Sequence, residues 1–250
     1  MNKKVFSNIF PIMAYIYLLT PFLIFAAGWM KFYIAVPVIL IVLFTLFKMC
    51  RKPEIVSKLQ WNISDIKKLA IVVGIVFFWV GISGVGGFSY QSDDHTWRNA
   101  IFETLVYEKW PVVTVEDIGG IPTERGFSYY MGFWLPAAMI GKLFGIGAGY
   151  FAQVIWAVMG IVLFYCGLCI LRQKISVWPL FIFIFFSGMD ILGYYVTGID
   201  LGTIAQSDHL EWWTKFQFSS ITTQLFWVFN QCIPAWLVTM LLLLQKSNRY

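Results

Sequence analysis

LAIVVGIVFFWVGISGVGGFSYQSDDHTWRNAIFETLVYEKWP, residues 69–111, joins an apolar segment directly to one of the few long polar runs in the chain. The first part, Leu69–Val85, is just long enough for a membrane helix. The polar part begins its charged portion with two adjacent carboxylates, Asp93 and Asp94. This order indicates a membrane protein with a polar loop held just outside the bilayer.

The polar run itself contains a helical pattern. Apolar residues recur at every fourth position, at Trp97, Ile101 and Leu105. This spacing predicts a short amphipathic helix in which Ser92 or Asp93 caps the first turn. We expect Pro111 to end it.

Composition extends the membrane assignment to the whole chain of 250 residues. Charged residues make up 12% of it and the mean hydropathy is +0.73, whereas a soluble domain carries about 25% charged residues. The apolar runs lack the alternation of barrel strands, so they are expected to be helices. We therefore predict an all-α, polytopic bundle that forms a single transmembrane domain over residues 1–250.

Six spans are predicted, at about residues 10–27, 32–47, 69–85, 150–171, 177–195 and 219–244. Residues 86–127 form a loop with seven acids and three bases, which we expect to be external. The apolar segment 129–144 is short and contains Pro136 and Lys142, and we predict that it lies at the outer interface.

The distribution of Lys and Arg favours this topology. Twelve of the eighteen basic residues then fall in cytoplasmic segments and six fall in external or interfacial ones, as the positive-inside rule requires. If residues 129–144 spanned the bilayer, the later loops would exchange sides. We expect a multi-pass protein of the cell membrane with both termini in the cytoplasm.

Polar residues collect at the predicted external face, and each has two interpretations. Asp93 and Asp94 are either catalytic or a helix cap, with Asp94 paired to Arg98. Asp190 ends an apolar run, where a carboxylate is costly and often functional. We expect His95 to be structural.

The sequence does not favour a metal or a cofactor. Asp208, His209 and Glu211 are of metal-binding type, but their adjacent spacing is a weak signal. Cys166 and Cys169 lie inside an apolar segment and are interpreted as packing residues, without a disulfide or zinc. The scattered positive charge does not indicate a nucleic-acid partner.

Three segments together resemble the GT-C superfamily of membrane glycosyltransferases. DDHTWRNAIFETLVYEKWPV, from Asp93, resembles the first external loop of these enzymes, where an acidic pair precedes a short helix. YYMGFWLPAAMIGKLFG, from Tyr129, resembles the juxtamembrane segment that follows it. FFSGMDILGYY, from Phe185, resembles a helix end that carries a further acid. The segment HLEWWTKFQFSSITTQLFWVFNQCIPAWL, less specifically, resembles large uncharacterised bacterial membrane proteins of this type.

The resemblance implies sugar transfer from a polyprenyl-phosphate-linked donor at the external face, in cell-envelope polysaccharide or glycoconjugate assembly. Its catalytic carboxylates would be Asp93, Asp94 and Asp190, with Asp93 or Asp94 as general base. Arg125, Lys142 or Lys215 would hold the donor phosphate, and Arg98 would be a further substrate-binding residue beside the acidic pair.

Two other functions remain open. One is a transporter or flippase subunit for a lipid-linked precursor, which would usually show inverted repeats or broken membrane helices. The other is a non-catalytic fragment or a partner subunit of a membrane complex. The resemblance covers roughly residues 69–244 and family members are usually longer, which predicts a truncated or N-terminal portion.

Overall fold

A computed structural model describes residues 5–51, 59, 63–188, 190–198 and 219–247. Within these ranges the fold is helical, as predicted, with one β-hairpin as its only sheet. The nine α-helices of the described ranges are α1 (Val5–Trp29), α2 (Phe32–Arg51), α3 (Ile63–Gly81), α4 (Asp93–Tyr107), α5 (Leu135–Phe144), α6 (Ile146–Arg172), α7 (Trp178–Ile184), α8 (Asp190–Thr197) and α9 (Ile221–Ser247).

Four of these helices are long and apolar enough to cross a membrane, which supports a membrane protein. They are Ile9–Trp29, Phe32–Arg51, Ile146–Arg172 and Ile221–Gln245. Helix α3 begins six residues before the predicted span and includes Asp65, Lys67 and Lys68. The apolar part of α3 is therefore shorter than those of the four helices named above.

The single helix predicted over residues 177–195 is wrong. The chain forms the seven-residue helix α7, turns, and starts again as α8. Between them Ser187 has φ 68° and Gly188 has φ 83°, and a helix cannot continue through two left-handed residues. Hydropathy averages over the run and does not register this break.

Helix α6 lies at the centre of the bundle, and α1 runs antiparallel to it. Phe10 of α1 lies beside Gly167, near the end of α6. Seven residues further on, the ring of Tyr17 stacks on Trp156 with centroids 4.2 Å apart, and its hydroxyl donates to the Trp156 carbonyl. Later residues of α1 therefore contact earlier residues of α6, and the two helices run in opposite directions.

Helix α9 runs in the same direction as α6. Ile233 occupies the space beside Gly160, and Met240, seven residues later, occupies that beside Gly167. Two glycines two turns apart therefore let the helices approach closely. Helix α3 runs in the same direction as α1. Its Trp79 stacks on Trp236, in the middle of α9, and the turn that follows α3 contacts the start of α6, so α3 runs toward the end of the bundle where α6 begins.

These directions give the bundle two distinct ends. The basic end holds the starts of α1 and α3 and the ends of α6 and α9, with Lys67, Lys68 and Arg172 among its residues. The other end holds the ends of α1 and α3 and the start of α6, and is covered by α4. We call it the α4 end.

Segment 129–144 forms a 3₁₀ turn, Met131–Trp134, and then α5. Pro136 is near the first residue of α5, where its missing N–H costs little, rather than in the middle of a helix as the sequence suggested. Gly141 of α5 packs against Gly149 of α6, and residues from Pro136 to Met159 line one groove between the two helices. Helix α5 thus packs along α6, and its position at the outer interface stays a prediction.

The loop after α4 contains a hairpin that the sequence analysis missed. Strands β1 (Val113–Ile118) and β2 (Ile121–Gly126) pair antiparallel and are joined by Gly119 and Gly120. Both glycines have positive φ, at 65° and 85°, as a tight two-residue hairpin turn requires. The hairpin is almost entirely exposed.

Candidate functional site at the N-terminus of α4

Helix α4 exists as predicted, but a different face of it is buried. Its buried residues are His95, Arg98, Phe102, Leu105 and Val106. Trp97, expected on the apolar face, is 75% exposed. Two polar side chains take the inward positions at the start of the helix, so this part of α4 presents polar groups to the bundle.

The first turn of α4 is held by side chains that precede it. Ser92 is the N-cap residue, as one of the two alternatives had it, but its hydroxyl pairs with Nδ1 of His95 at 3.2 Å rather than with the helix backbone. The amide of Gln91 donates to the Gly84 carbonyl and accepts from Asn99. These bonds tie the turn after α3 to α4.

The two carboxylates of the acidic pair have different surroundings. Asp94 accepts a hydrogen bond from Nη2 of Arg98 at 3.0 Å, one turn along the helix, and its side chain is 52% exposed. Asp93 is exposed and has no ion-pair partner among the described residues. Of the pair, Asp93 is the carboxylate that is free to contact a substrate.

Arg98 is buried although it carries a charge, with 7% of its surface exposed. Its guanidinium lies over the ring of Phe229 from α9, with Cζ 5.8 Å from the ring centroid. Nη2 is used by Asp94, whereas Nη1 is buried and has no hydrogen-bond partner among the described residues. An unpaired buried donor of this kind costs several kcal/mol unless something binds it.

His95 lies beside Arg98 on the same ring. It is 3% exposed, and its ring is 6.1 Å from that of Phe229. Burial, followed by the Arg98 charge, lowers the pKa of His95 from 6.5 to about 4, so the imidazole is neutral at pH 7. Nε2 has no partner among the described residues, and the structural role expected for His95 stays a prediction.

The structure does not bring Lys142 to the acidic pair. Its ammonium donates to the carbonyls of Val106 and Glu108 and lies 5.1 Å from the Trp110 ring centroid. It thus caps the C-terminus of α4, about 20 Å from Asp93 at 1.5 Å per residue. Lys142 is therefore too far from Asp93 to bind a phosphate there.

Arg125 is also engaged elsewhere. It lies on the exposed hairpin, where its guanidinium is 3.3 Å from the Glu116 carboxylate on the facing strand. Of the three predicted substrate-binding basic residues that the structure describes, Arg98 is the one that lies beside the acidic pair, through its bond to Asp94.

Several candidate residues lie outside the described parts of the chain. The backbone of Asp190 begins α8, but its side chain is not described, and Lys215, Asp208, His209 and Glu211 fall in the undescribed segment 199–218. Within the described ranges no three His, Cys, Asp or Glu side chains are grouped to hold a metal ion.

Comparison with known proteins adds no assignment. No family model matches the chain, and no curated protein or solved structure is significantly similar to it. The function must be argued from the site itself.

Three residues that the sequence analysis did not single out belong to this region. Phe229 contacts both His95 and Arg98, and Asn230 and Gln153 are buried amides on α9 and α6. A signal was available for the two amides, because a lone polar residue within an apolar helix is costly and often functional.

Proposed function

We propose that the protein is a GT-C-like glycosyltransferase that moves a sugar from a polyprenyl-phosphate-linked donor to an acceptor at the α4 end. This end would face the outside of a bacterial cell membrane, and the product would be a cell-envelope polysaccharide or glycoconjugate. The resemblance of the loop sequences supports the reaction class.

The helix directions support six crossings with both termini in the cytoplasm. Helix α6 finishes at the basic end and α9 starts at the α4 end, and α7 forms part of the return, because Thr222 of α9 donates to the Ile184 carbonyl at the end of α7. The basic end is the cytoplasmic one under the positive-inside rule. Cysteines placed at Asp117 and Gln173 test this orientation, since an impermeant thiol reagent should label only the first on intact cells.

One observation carries the catalytic proposal: Asp93 is an exposed carboxylate without an ion-pair partner in the described part of the chain, and it is next to the Asp94–Arg98 ion pair. As general base, Asp93 would accept the proton of the acceptor hydroxyl while that oxygen bonds to the anomeric carbon. The bond between that carbon and the phosphate oxygen breaks, and the polyprenyl phosphate leaves with the electron pair. A positioned base of this kind contributes about 10²–10⁴-fold in rate.

Arg98 would hold the donor phosphate. Its unpaired Nη1 is a charged donor in a site from which water is largely excluded, where a hydrogen bond to phosphate is strong. Asp94 would position the guanidinium through the 3.0 Å bond to Nη2. The two acids of the pair thus have different roles.

The test is a lipid-linked-sugar transfer assay on membranes with and without the protein. Asp93→Asn should lower the rate about 10²–10⁴-fold, and Asp94→Asn should act mainly through weaker donor binding. Asp117→Asn, in the hairpin turn, is the matched acidic control and should retain full rate. Full activity in the Asp93 variant would exclude it as the base.

A broken helix favours a second function, the transport of a lipid-linked precursor. Val228 of α9 has the non-helical angles φ −138° and ψ 37°, and Pro234 removes one further helical donor. Discontinuous membrane helices are typical of transporter binding sites. Reconstituted vesicles distinguish the two: a transporter exposes a fluorescent lipid phosphate to an impermeant quencher without any sugar transfer.

A further inference from the structure

The break in α9 is followed directly by Phe229, which contacts the buried side chains of His95 and Arg98, and then by the buried amide of Asn230. Asn230 follows it by two residues and is 7% exposed, and neither its amide nitrogen nor its amide oxygen has a partner among the described residues. Irregular backbone within a membrane helix is tolerated where it is buried in protein or lines a polar cavity. The function of the break is therefore inferred from the residues that surround Asn230.

Gln153 of α6 is a second buried amide. It is 3% exposed, and its Nε2 has no partner in the described part of the chain. Gly160 of α6 contacts Ile233 of α9. Gln153 lies two turns before Gly160 on the same face of α6, and Asn230 lies one turn before Ile233 on the same face of α9. Both amides therefore lie in the α6–α9 seam on the side of the α4 end.

Arg98 and His95 lie at the α4 end of this seam. Both lie against the ring of Phe229, the neighbour of Asn230, and each has one buried nitrogen without a partner among the described residues. By this register, α4, α6 and α9 each contribute buried polar groups without a described partner near one level of the bundle. Each buried polar group without a partner costs about 1–3 kcal/mol. A packed core avoids this cost, whereas a preformed binding site retains such groups for its ligand.

The groups that converge are mostly donors. They comprise one guanidinium nitrogen and two amide nitrogens, with a single amide oxygen as acceptor, and the imidazole adds a donor or an acceptor according to its tautomer. Arg98 supplies the positive charge. Several donors around one cation suit an anionic group with more than one oxygen, such as phosphate.

We propose that the break in α9 is a phosphate-binding site in which Asn230 and Gln153 complete the contacts begun by Arg98. The inference rests on the proposed function only in assigning Arg98 to bind a phosphate. It applies equally to sugar transfer and to transport of a lipid-linked precursor. The phosphate could belong to a lipid headgroup or be free in solution, and both sources present the same oxygens.

The test is binding, not turnover, so it is independent of whether sugar transfer is found. The purified full chain in detergent micelles is titrated by calorimetry with inorganic phosphate and, separately, with farnesyl phosphate. Saturable binding of farnesyl phosphate alone identifies a lipid headgroup site, and binding of both shows that phosphate suffices. Binding of neither overturns the proposal.

Two variants test the amides, and a third is the matched control. Asn230→Leu and Gln153→Leu should each weaken binding about tenfold or more, the equivalent of a lost hydrogen bond to a charged group. Their unliganded melting temperatures should be unchanged or higher, because an unpaired buried group has been removed. Gln224→Leu, on the same helix, removes an amide that donates to Ser219 and accepts from Trp236.

The Gln224 variant should show the opposite pattern, with a lower melting temperature and unchanged affinity. If Asn230→Leu and Gln153→Leu bind phosphate as well as the wild type, the amides do not form the site. If they melt lower, as the control does, they are partnered structural groups and the inference is wrong.

Discussion

The two ends of α4 are built in opposite ways. At its C-terminus the described contacts are structural: Lys142 donates to the carbonyls of Val106 and Glu108, and Phe102 and Val106 fill the space beside Gly149 and Gly141. At its N-terminus, among the described residues, Asp93 has no ion-pair partner, and His95 and Arg98 each have a buried nitrogen without a hydrogen-bond partner. The contacts at one end of the helix are all structural, whereas we propose that the groups at the other end bind a ligand.

His95 should make the N-terminal end sensitive to acid. Its pKa is lowered from 6.5 to about 4 in the fold, so the unfolded chain binds more protons between these values. Stability should therefore be complete above about pH 6.5 and fall as the pH drops toward 4, by at most about 3 kcal/mol. Melting temperatures measured from pH 7 to pH 4 give this slope.

The control for that slope is His95→Gln, which removes the imidazole. Other acids also titrate near pH 4, so the relevant quantity is the difference between the two profiles. An equally steep profile for the variant would show that His95 is protonated in the folded protein.

The C-terminal end should be intolerant of added volume. A Cβ on Gly149 would lie 2.9 Å from Phe102 and 3.0 Å from the backbone of Gly141. Gly149→Ala should therefore destabilise the protein by about 2 kcal/mol through overpacking. Gly147→Ala, two residues earlier with no atom nearby, should be neutral or stabilise by up to about 1 kcal/mol. Equal melting temperatures for the two variants would contradict the close packing of α5 on α6.

The smallest effect is expected at the helix cap. Lys142→Met removes the bonds to the carbonyls of Val106 and Glu108 and a charge that favours the C-terminal dipole. This should cost about 1 kcal/mol. Lys109→Met, an exposed lysine in the same region, should change stability by less than about 0.5 kcal/mol. Thermal unfolding that shows the same loss in both would exclude the cap.

The sequence predicts the helical membrane class and the existence of α4 because both depend on local patterns. Hydropathy over about 20 residues is a strong signal, and Leu105 does lie on the buried face of α4. The inward position of His95 and Arg98 was not predictable in this way, because it depends on the ring of Phe229, which is more than 130 residues away in the chain.

Other errors have local causes. The sequence IGGI, residues 118–121, flanked by β-branched residues, is a hairpin signal that the acidic composition of the loop obscured. The run FIFIFFSGM predicted a continuous helix, although α7 ends at Ile184 and the following Ser187-Gly188 pair has positive φ angles. The role of Lys142 could not be assigned, because a lysine gives no indication in sequence of whether it meets a phosphate or a helix terminus.

The central claim is that function and stability are divided between the two ends of α4, and one paired measurement tests it. Sugar-transfer rate and melting temperature are determined together for Asp93→Asn and Lys142→Met. We expect Asp93→Asn to lose about 10²–10⁴-fold in rate at an unchanged melting temperature, and Lys142→Met to melt lower at nearly full rate. Parallel losses in both variants, or a fully active Asp93→Asn protein, would contradict the division.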